Sequence, residues 1–287
     1  MKPRSLAKIL TAMIGLGLAA SACSSTPASS PAGSNTTSAK PTSSPQPVAS
    51  FLGQLHGLTQ VASTVPANGD VNPYGVAVVP ASGGRLTAGD ILVSNFNDKA
   101  NVQGTGTTIV QVSPAGKASV FANISALPAG QACPGGIGLT TALGILPGGW
   151  VVVGSLPTAH GGALPALNPA GCLIVLNDQG TVAETITNSD VVGPWDLTVK
   201  SSATSAELFV SNALGGNTTT HDGMPVTGNC TIVRLDLALS PSSPPKLTTK
   251  TLIEHGAGDL FGIITTAAGD GLITANDGTN ALDEASM

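Results

Sequence analysis

Between residues 72 and 284 the chain repeats one order of short β-branched runs, which restricts it to a fold assembled from small, equivalent sheets. The first unit covers residues 73–78, 89–95, 108–112 and 118–121. The second covers 134–139, 149–154, 172–176 and 181–186, and the third 194–199, 207–212, 231–235 and 247–253. A fourth opens with 260–265 and 271–276, and residues 280–284 begin its third run. Pro73, Pro134 and Pro194 open successive units about 60 residues apart, and Gly, Pro, Asn and Asp punctuate every run.

Four strands per unit in a constant order predict an all-β protein built as a β-propeller. A β-sandwich would also supply evenly spaced strands. It leaves unexplained the recurring opening with proline and glycine, the glycine before the second run, and the Ile-Val-x-Val/Leu character of the third. The phrases Asn72-Pro73-Tyr74-Gly75-Val76-Ala77-Val78 and Gly89-Asp90-Ile91-Leu92-Val93-Ser94-Asn95 resemble the NHL-repeat class of propeller, echoed by Gly271-Leu272-Ile273-Thr274-Ala275-Asn276-Asp277-Gly278. That resemblance implies a six-bladed family, whereas the chain offers three whole units and part of a fourth. It therefore reads as a C-terminally truncated member, or as a small four-bladed ring. In either case the resemblance implies that residues 58–65 supply an outer strand to the last blade.

The N-terminus reads as an export signal. Lys2, Arg4 and Lys8 precede an apolar run over 9–20 that is too short to span a bilayer. It ends in Ala20-Ser21-Ala22-Cys23, which resembles the lipobox of bacterial lipoproteins, although Ala20 stands where Leu is usual. The resemblance implies cleavage before Cys23 and acylation of that cysteine, with palmitate among the acyl chains; an ordinary small-x-small cleavage site is the alternative. Residues 24–50 are almost entirely Ser, Thr, Pro, Ala, Gly and Asn, too poor in apolar surface to order themselves. The expected organisation is a signal peptide over 1–22, a lipidated Cys23 with a disordered tether over 23–50, and a propeller over 51–287. The anchored protein would face the periplasm or the cell exterior, its membrane partner reached through lipid.

The whole chain carries a net charge of −5, and loss of the signal removes three basic residues and no acidic one, so nucleic acid is not an expected partner. With Cys23 spent on lipid, Cys133, Cys172 and Cys230 remain, and export permits a disulfide among them. Cys133 precedes a first strand and Cys172 begins a third, positions about 9–10 Å apart unless a loop bends inward. Cys230 reads as the counterpart of Cys172 one unit later.

In a propeller the loops before the first strand and between the second and third open on one face. That face collects Tyr74, Asn95, Trp195, Asp196, Asn212 and Asn276, a candidate ligand-binding rim on a rigid scaffold. Tyr74 and Trp195 would either present their rings to a sugar or peptide or pack between blades. The asparagines would either hold a polar ligand or calcium through amide oxygens, or cap turns. His160 and His221 fall in equivalent loops of neighbouring units and are candidate zinc ligands, but such a site needs a third ligand. Solvated loop histidines are the simpler reading, and no motif demands a cofactor.

No Gly-x-Ser-x-Gly and no catalytic cysteine setting is present. The expected function is a non-catalytic, membrane-anchored binding module for an envelope protein, peptide or glycan. The alternative is a metal-dependent lactonase or hydrolase of the six-bladed kind. Gly193-Pro194-Trp195-Asp196 resembles a fragment of the gluconolactonase relatives' motif, with Asp196 and Asp259, near unit openings, as the best available carboxylates and no glutamate in the opening strand. A truncated, non-functional remnant is the third reading.

Overall fold

β-Branched residues lose little side-chain freedom on a pleated strand, and glycine and proline interrupt it, so the punctuated runs of this sequence form short strands. The computed structural model describes residues 57–156, 171–213, 218–221, 224–227, 230–256, 260–276 and 281–286, and none of these is helical. The compact unit that contains the strands runs from Leu58 to Met287.

Strands β1 (Val71–Val78), β2 (Ile91–Asn97), β3 (Thr108–Val112) and β4 (Ala118–Asn123) form an antiparallel sheet in sequence order. Strands β5 (Leu139–Leu146), β6 (Trp150–Ser155), β7 (Cys172–Leu176) and β8 (Val182–Ile186) repeat that arrangement. The third sheet uses β9 (Pro194–Ser201) and β10 (Ser205–Asn212), then, beyond a separate hairpin of β11 (Thr218–His221) and β12 (Met224–Thr227), the long strands β13 (Cys230–Ser240) and β14 (Ser243–Gly256). The fourth consists of β15 (Leu260–Thr265), β16 (Gly271–Asn276) and β17 (Ala281–Ser286).

The first strands stand side by side, β1 against β5, β5 against β9 and β9 against β15, which makes each sheet a blade and the first strands a hub. Each blade-to-blade gap holds its own apolar core. Leu92 and Ile109 meet Leu143 and Val153 in the first gap. Val152 and Val175 meet Leu197 and Val210 in the second. Phe209 and Ile232 meet Ile263 and Leu272 in the third.

Three expectations need correction. The opening strand of the second blade is Leu139–Leu146 and not residues 134–139. Pro134-Gly135-Gly136 instead forms a turn, in which Gly136 takes φ +97° and donates its N–H to the Cys133 carbonyl at 2.9 Å. The long segment after β10 carries the β11–β12 hairpin. Residues 58–65 form no strand and do not pair with β17; they pass along the first blade, where the Thr64 carbonyl accepts from Asn95 Nδ2 at 2.9 Å.

Candidate ligand-binding face at the hub

Backbone irregularity builds the hub end of the blades. The ladder slips between Pro73 and Val76, between Leu139 and Leu143, and between Leu260 and Ile263. A bulge of this kind frees backbone groups from the ladder and re-aims side chains. Carbonyls freed in this way accept from hydroxyls of the preceding blade. Ser94 Oγ accepts from Gly75 N at 3.0 Å and donates to the Thr140 carbonyl at 2.8 Å. Thr140 Oγ1 donates to the Pro194 carbonyl at 2.7 Å, and Thr141 Oγ1 donates to the Trp195 carbonyl. Ser211 Oγ donates to the Phe261 carbonyl at 3.2 Å. Separate hydroxyl-to-carbonyl bonds therefore link each blade to the next from the first to the fourth, each contributing about 1 kcal/mol.

Pro73, Pro194 and Leu260 pair with Asn95, Asn212 and Asn276, and the residue after each is aromatic. Tyr74, Trp195 and Phe261 consequently reach the same level of the hub. Tyr74 stacks on Phe96 with centroids 4.6 Å apart and an 11° interplanar angle. Trp195 packs edge-on against Phe96 at 5.5 Å and Phe261 at 5.3 Å, and is tilted against Tyr74 at 5.9 Å. Half of the chain's eight aromatic residues (two Trp, one Tyr, five Phe) thus converge here. Phe96 is buried, whereas Tyr74, Trp195 and Phe261 are half-buried.

Asp196, beside Trp195, points to the next blade. Its Oδ2 accepts from Ile263 N at 3.1 Å and its Oδ1 from Leu197 N at 2.8 Å. Burial raises its pKa from the ordinary 3.8 to about 6, against the opposing pull of the two N–H donors. This carboxyl therefore titrates close to neutrality at the junction of the third and fourth blades.

The asparagines serve the scaffold. Asn212 Oδ1 accepts from Val192 N at 3.1 Å and Gly193 N at 3.0 Å, while its Nδ2 donates to the Asp190 carbonyl at 2.8 Å and Thr231 Oγ1 at 2.9 Å. Asn95 Nδ2 donates to Thr108 Oγ1 at 3.1 Å, and its buried Oδ1 has no hydrogen-bond partner. Asn276 Nδ2 donates to Asp283 Oδ2 at 2.6 Å. These amides tie strand ends and entry loops together.

Cys133 and Cys172 form a disulfide with Cα atoms 5.3 Å apart. The loop from Pro128 bends inward because Gln131 Oε1 accepts from Thr185 N at 2.7 Å and from Thr185 Oγ1 at 3.0 Å. The bridge ties the entry loop of the second blade to the start of its third strand. In the first blade the same link is made by Asp70 Oδ2, which accepts from Thr107 N and Thr108 Oγ1, each at 2.9 Å. Register corrects one equivalence: Ser155 pairs with Cys172 and Asn212 with Thr231, so Thr231, not Cys230, is the counterpart of Cys172. Cys230 begins β13.

His221 pairs with Met224 across the β11–β12 hairpin. Cys23, His160 and Asp259 lie outside the described residues. Among the described residues no three His, Cys, Asp or Glu side chains come together as a metal site, and no helix is long and apolar enough to cross a membrane. Reading the sequence alone misses Phe96, placed in a loop by pattern but carried into the hub by a longer β2, and Phe261, whose register equivalence to Tyr74 and Trp195 is the signal that marks it.

Antiparallel blades packed face to face around adjoining first strands define an all-β protein of the β-propeller class. No family model matches the chain. No curated protein matches it either. Among solved structures it is similar to hydrazine synthase of Kuenenia stuttgartiensis, with 12% identity and a TM-score of 0.43 over 75% of this chain and 53% of that one. The chain thus spans about half the length of that hydrazine synthase chain. It is also similar to a protein of unknown function from Bacteroides caccae, at 15% identity and a TM-score of 0.29, covering 71% and 70% of the two chains. A third similar structure is a candidate 6-phosphogluconolactonase from Bacteroides uniformis, at 14% identity and a TM-score of 0.30, covering 71% and 68%.

Proposed function

We propose that this protein is a lipid-anchored, extracytoplasmic propeller of the NHL-repeat kind that acts as a non-catalytic binding module, using its hub face to hold a glycan or peptide of the cell envelope. The observation that carries this reading is the convergence of Tyr74, Trp195 and Phe261 at one level of the hub, each ring half-buried. Aromatic rings fixed by their neighbours offer flat apolar area at little entropic cost, and a sugar face or a peptide side chain stacks on such a surface. The Ala20-Ser21-Ala22-Cys23 sequence and the Ser/Pro/Ala-rich tether support anchoring at a membrane surface, where envelope polymers are concentrated.

The test uses the full chain carrying Cys23→Ser, co-sedimented with purified peptidoglycan sacculi. Retention by sacculi that falls at least fivefold in Trp195→Ala supports the reading; equal retention of the two proteins, or none, contradicts it. Anchoring is tested separately by metabolic labelling with an alkyne fatty acid. Label should appear on the intact chain and be absent from Cys23→Ser.

A further inference from the structure

The hub ends of the three blade-to-blade junctions are closed by different chemistry. At the first, Ser94 donates to the Thr140 carbonyl and Leu139 N donates to the Gly106 carbonyl at 3.1 Å. At the second, Thr140 and Thr141 donate to the Pro194 and Trp195 carbonyls, and Gly171 N donates to the Val192 carbonyl at 3.1 Å. Hydroxyls and backbone amides do not change protonation near neutral pH. The third junction has no backbone-to-backbone bond across it among the described residues. Two side chains of the third blade hold the hub end of β15 instead. Ser211 Oγ donates to the Phe261 carbonyl at 3.2 Å, and Asp196 Oδ2 accepts from Ile263 N at 3.1 Å.

No charge among the described residues balances this carboxyl. Strands β5, β6 and β15, which pack on β9, carry no titratable residue. On β9 and β10 the charged groups are Lys200 and Glu207, which pair with each other at the opposite end of the strands. Beyond β10, Arg234 of β13 is engaged by Asp236 and Glu207. Tyr74 reaches Trp195 from the first blade, and Asp259 lies outside the described residues. Burial, opposed only by the N–H groups of Ile263 and Leu197, therefore governs when Asp196 ionises.

We infer that Asp196 is a proton-operated latch for the fourth blade: protonated, it stays sealed against the Ile263 amide and keeps the hub end of β15 on β9; ionised, it is drawn toward water and that end opens. The sign follows from linkage. The closed junction holds the proton to about pH 6, whereas an open one leaves the carboxyl in water at the ordinary 3.8, so rising pH favours opening. Full release of the carboxyl would raise the opening constant about tenfold between pH 5 and pH 7.5. Phe261 lies two residues before Ile263 and packs on Trp195, so opening also takes one ring away from the hub aromatics. The inference concerns the junction and does not depend on what the hub binds.

The test is hydrogen exchange followed by mass spectrometry from pH 5 to pH 7.5, on the full chain carrying Cys23→Ser, corrected for the intrinsic exchange rate at each pH. Peptides over 260–265 should lose protection by at least about threefold across this range, relative to peptides over 139–146 in the hub strand of the second blade. Asp196→Asn should abolish that difference. Asp270→Asn, on the turn after β15 where Asp270 accepts from Thr266 Oγ1, should retain it. Equal pH dependence of the two peptides in the reference chain overturns the inference, as does protection of 260–265 that grows with pH. This comparison within one protein stands whether or not Asp196→Asn folds. The chain's four histidines titrate in the same range. A difference that persists in Asp196→Asn belongs to them and overturns the inference too.

Discussion

Asp196→Asn isolates the one carboxyl among the described residues whose titration the fold has moved toward neutrality. The folded protein holds this proton with a pKa of about 6 and the unfolded chain with the ordinary 3.8. Between these values the folded state binds more proton than the unfolded state, so stability falls as pH rises through the window. The contribution is fully present below about pH 3.8 and lost above about pH 6. At 1.36 kcal/mol per pKa unit the full gap corresponds to about 3 kcal/mol. The carboxylate retains some solvent contact, so about 1–2 kcal/mol is the expected expressed value. An asparagine keeps one acceptor oxygen for the N–H of Ile263 or Leu197 and does not titrate. Urea unfolding followed by Trp fluorescence from pH 4 to pH 8 gives the stability of both proteins. Relative to the reference chain, Asp196→Asn should gain about 1–2 kcal/mol between pH 4 and pH 7.5. Parallel curves for the two proteins would refute the reasoning, as would a relative gain with the opposite sign.

Three further outcomes follow from the packing. Reduction of the Cys133–Cys172 bridge, or its replacement by Cys133→Ala with Cys172→Ala, releases a loop spanning a sequence separation of 39 and should cost about 3–4 kcal/mol in denaturant unfolding. Gly75→Ala places a Cβ within 2.8 Å of Ser94 Oγ, Leu143 Cβ and the Thr141 carbonyl, between two blades, and should cost about 2–3 kcal/mol in the same assay. Trp195→Ala removes the ring that joins Tyr74, Phe96 and Phe261 and should cost about 2–4 kcal/mol, with loss of near-ultraviolet circular dichroism.

The blades were legible because β-branched runs and punctuating glycines record strand period directly, and the runs at 108–112, 172–176, 260–265 and 271–276 coincide with β3, β7, β15 and β16. The start of β5 was not. Pro134 imitates the openings at Pro73 and Pro194, yet the turn at Gly136 delays the strand until Leu139, just before the β-branched pair Thr140-Thr141. The β11–β12 hairpin carried a readable signal in Asp222-Gly223 between Thr218-Thr219-Thr220 and Val226, overlooked beneath the length of the segment. Asn95 and Asn212 recur at strand ends as a binding rim would require, but their amides bond to neighbouring strands and entry segments, a tertiary fact that residue type cannot convey. Strand spacing leaves Cys133 and Cys172 out of bridging reach unless a loop bends inward, and the loop that carries Cys133 does so, drawn in by Gln131. Tyr74 and Trp195 were visible as strand openers, but their meeting with Phe96 and Phe261 depends on how the blades curve around the hub.

The central claim is that the hub aromatics receive an envelope ligand, and Trp195 can report on it directly. Trp150→Phe leaves Trp195 as the sole tryptophan of the chain, and its fluorescence can be followed while soluble muropeptides are added. The account predicts a saturable change in Trp195 emission that is abolished by Tyr74→Ala with Phe261→Ala. A linear, unsaturable response, or a saturable one unaffected by removing the neighbouring rings, would contradict it.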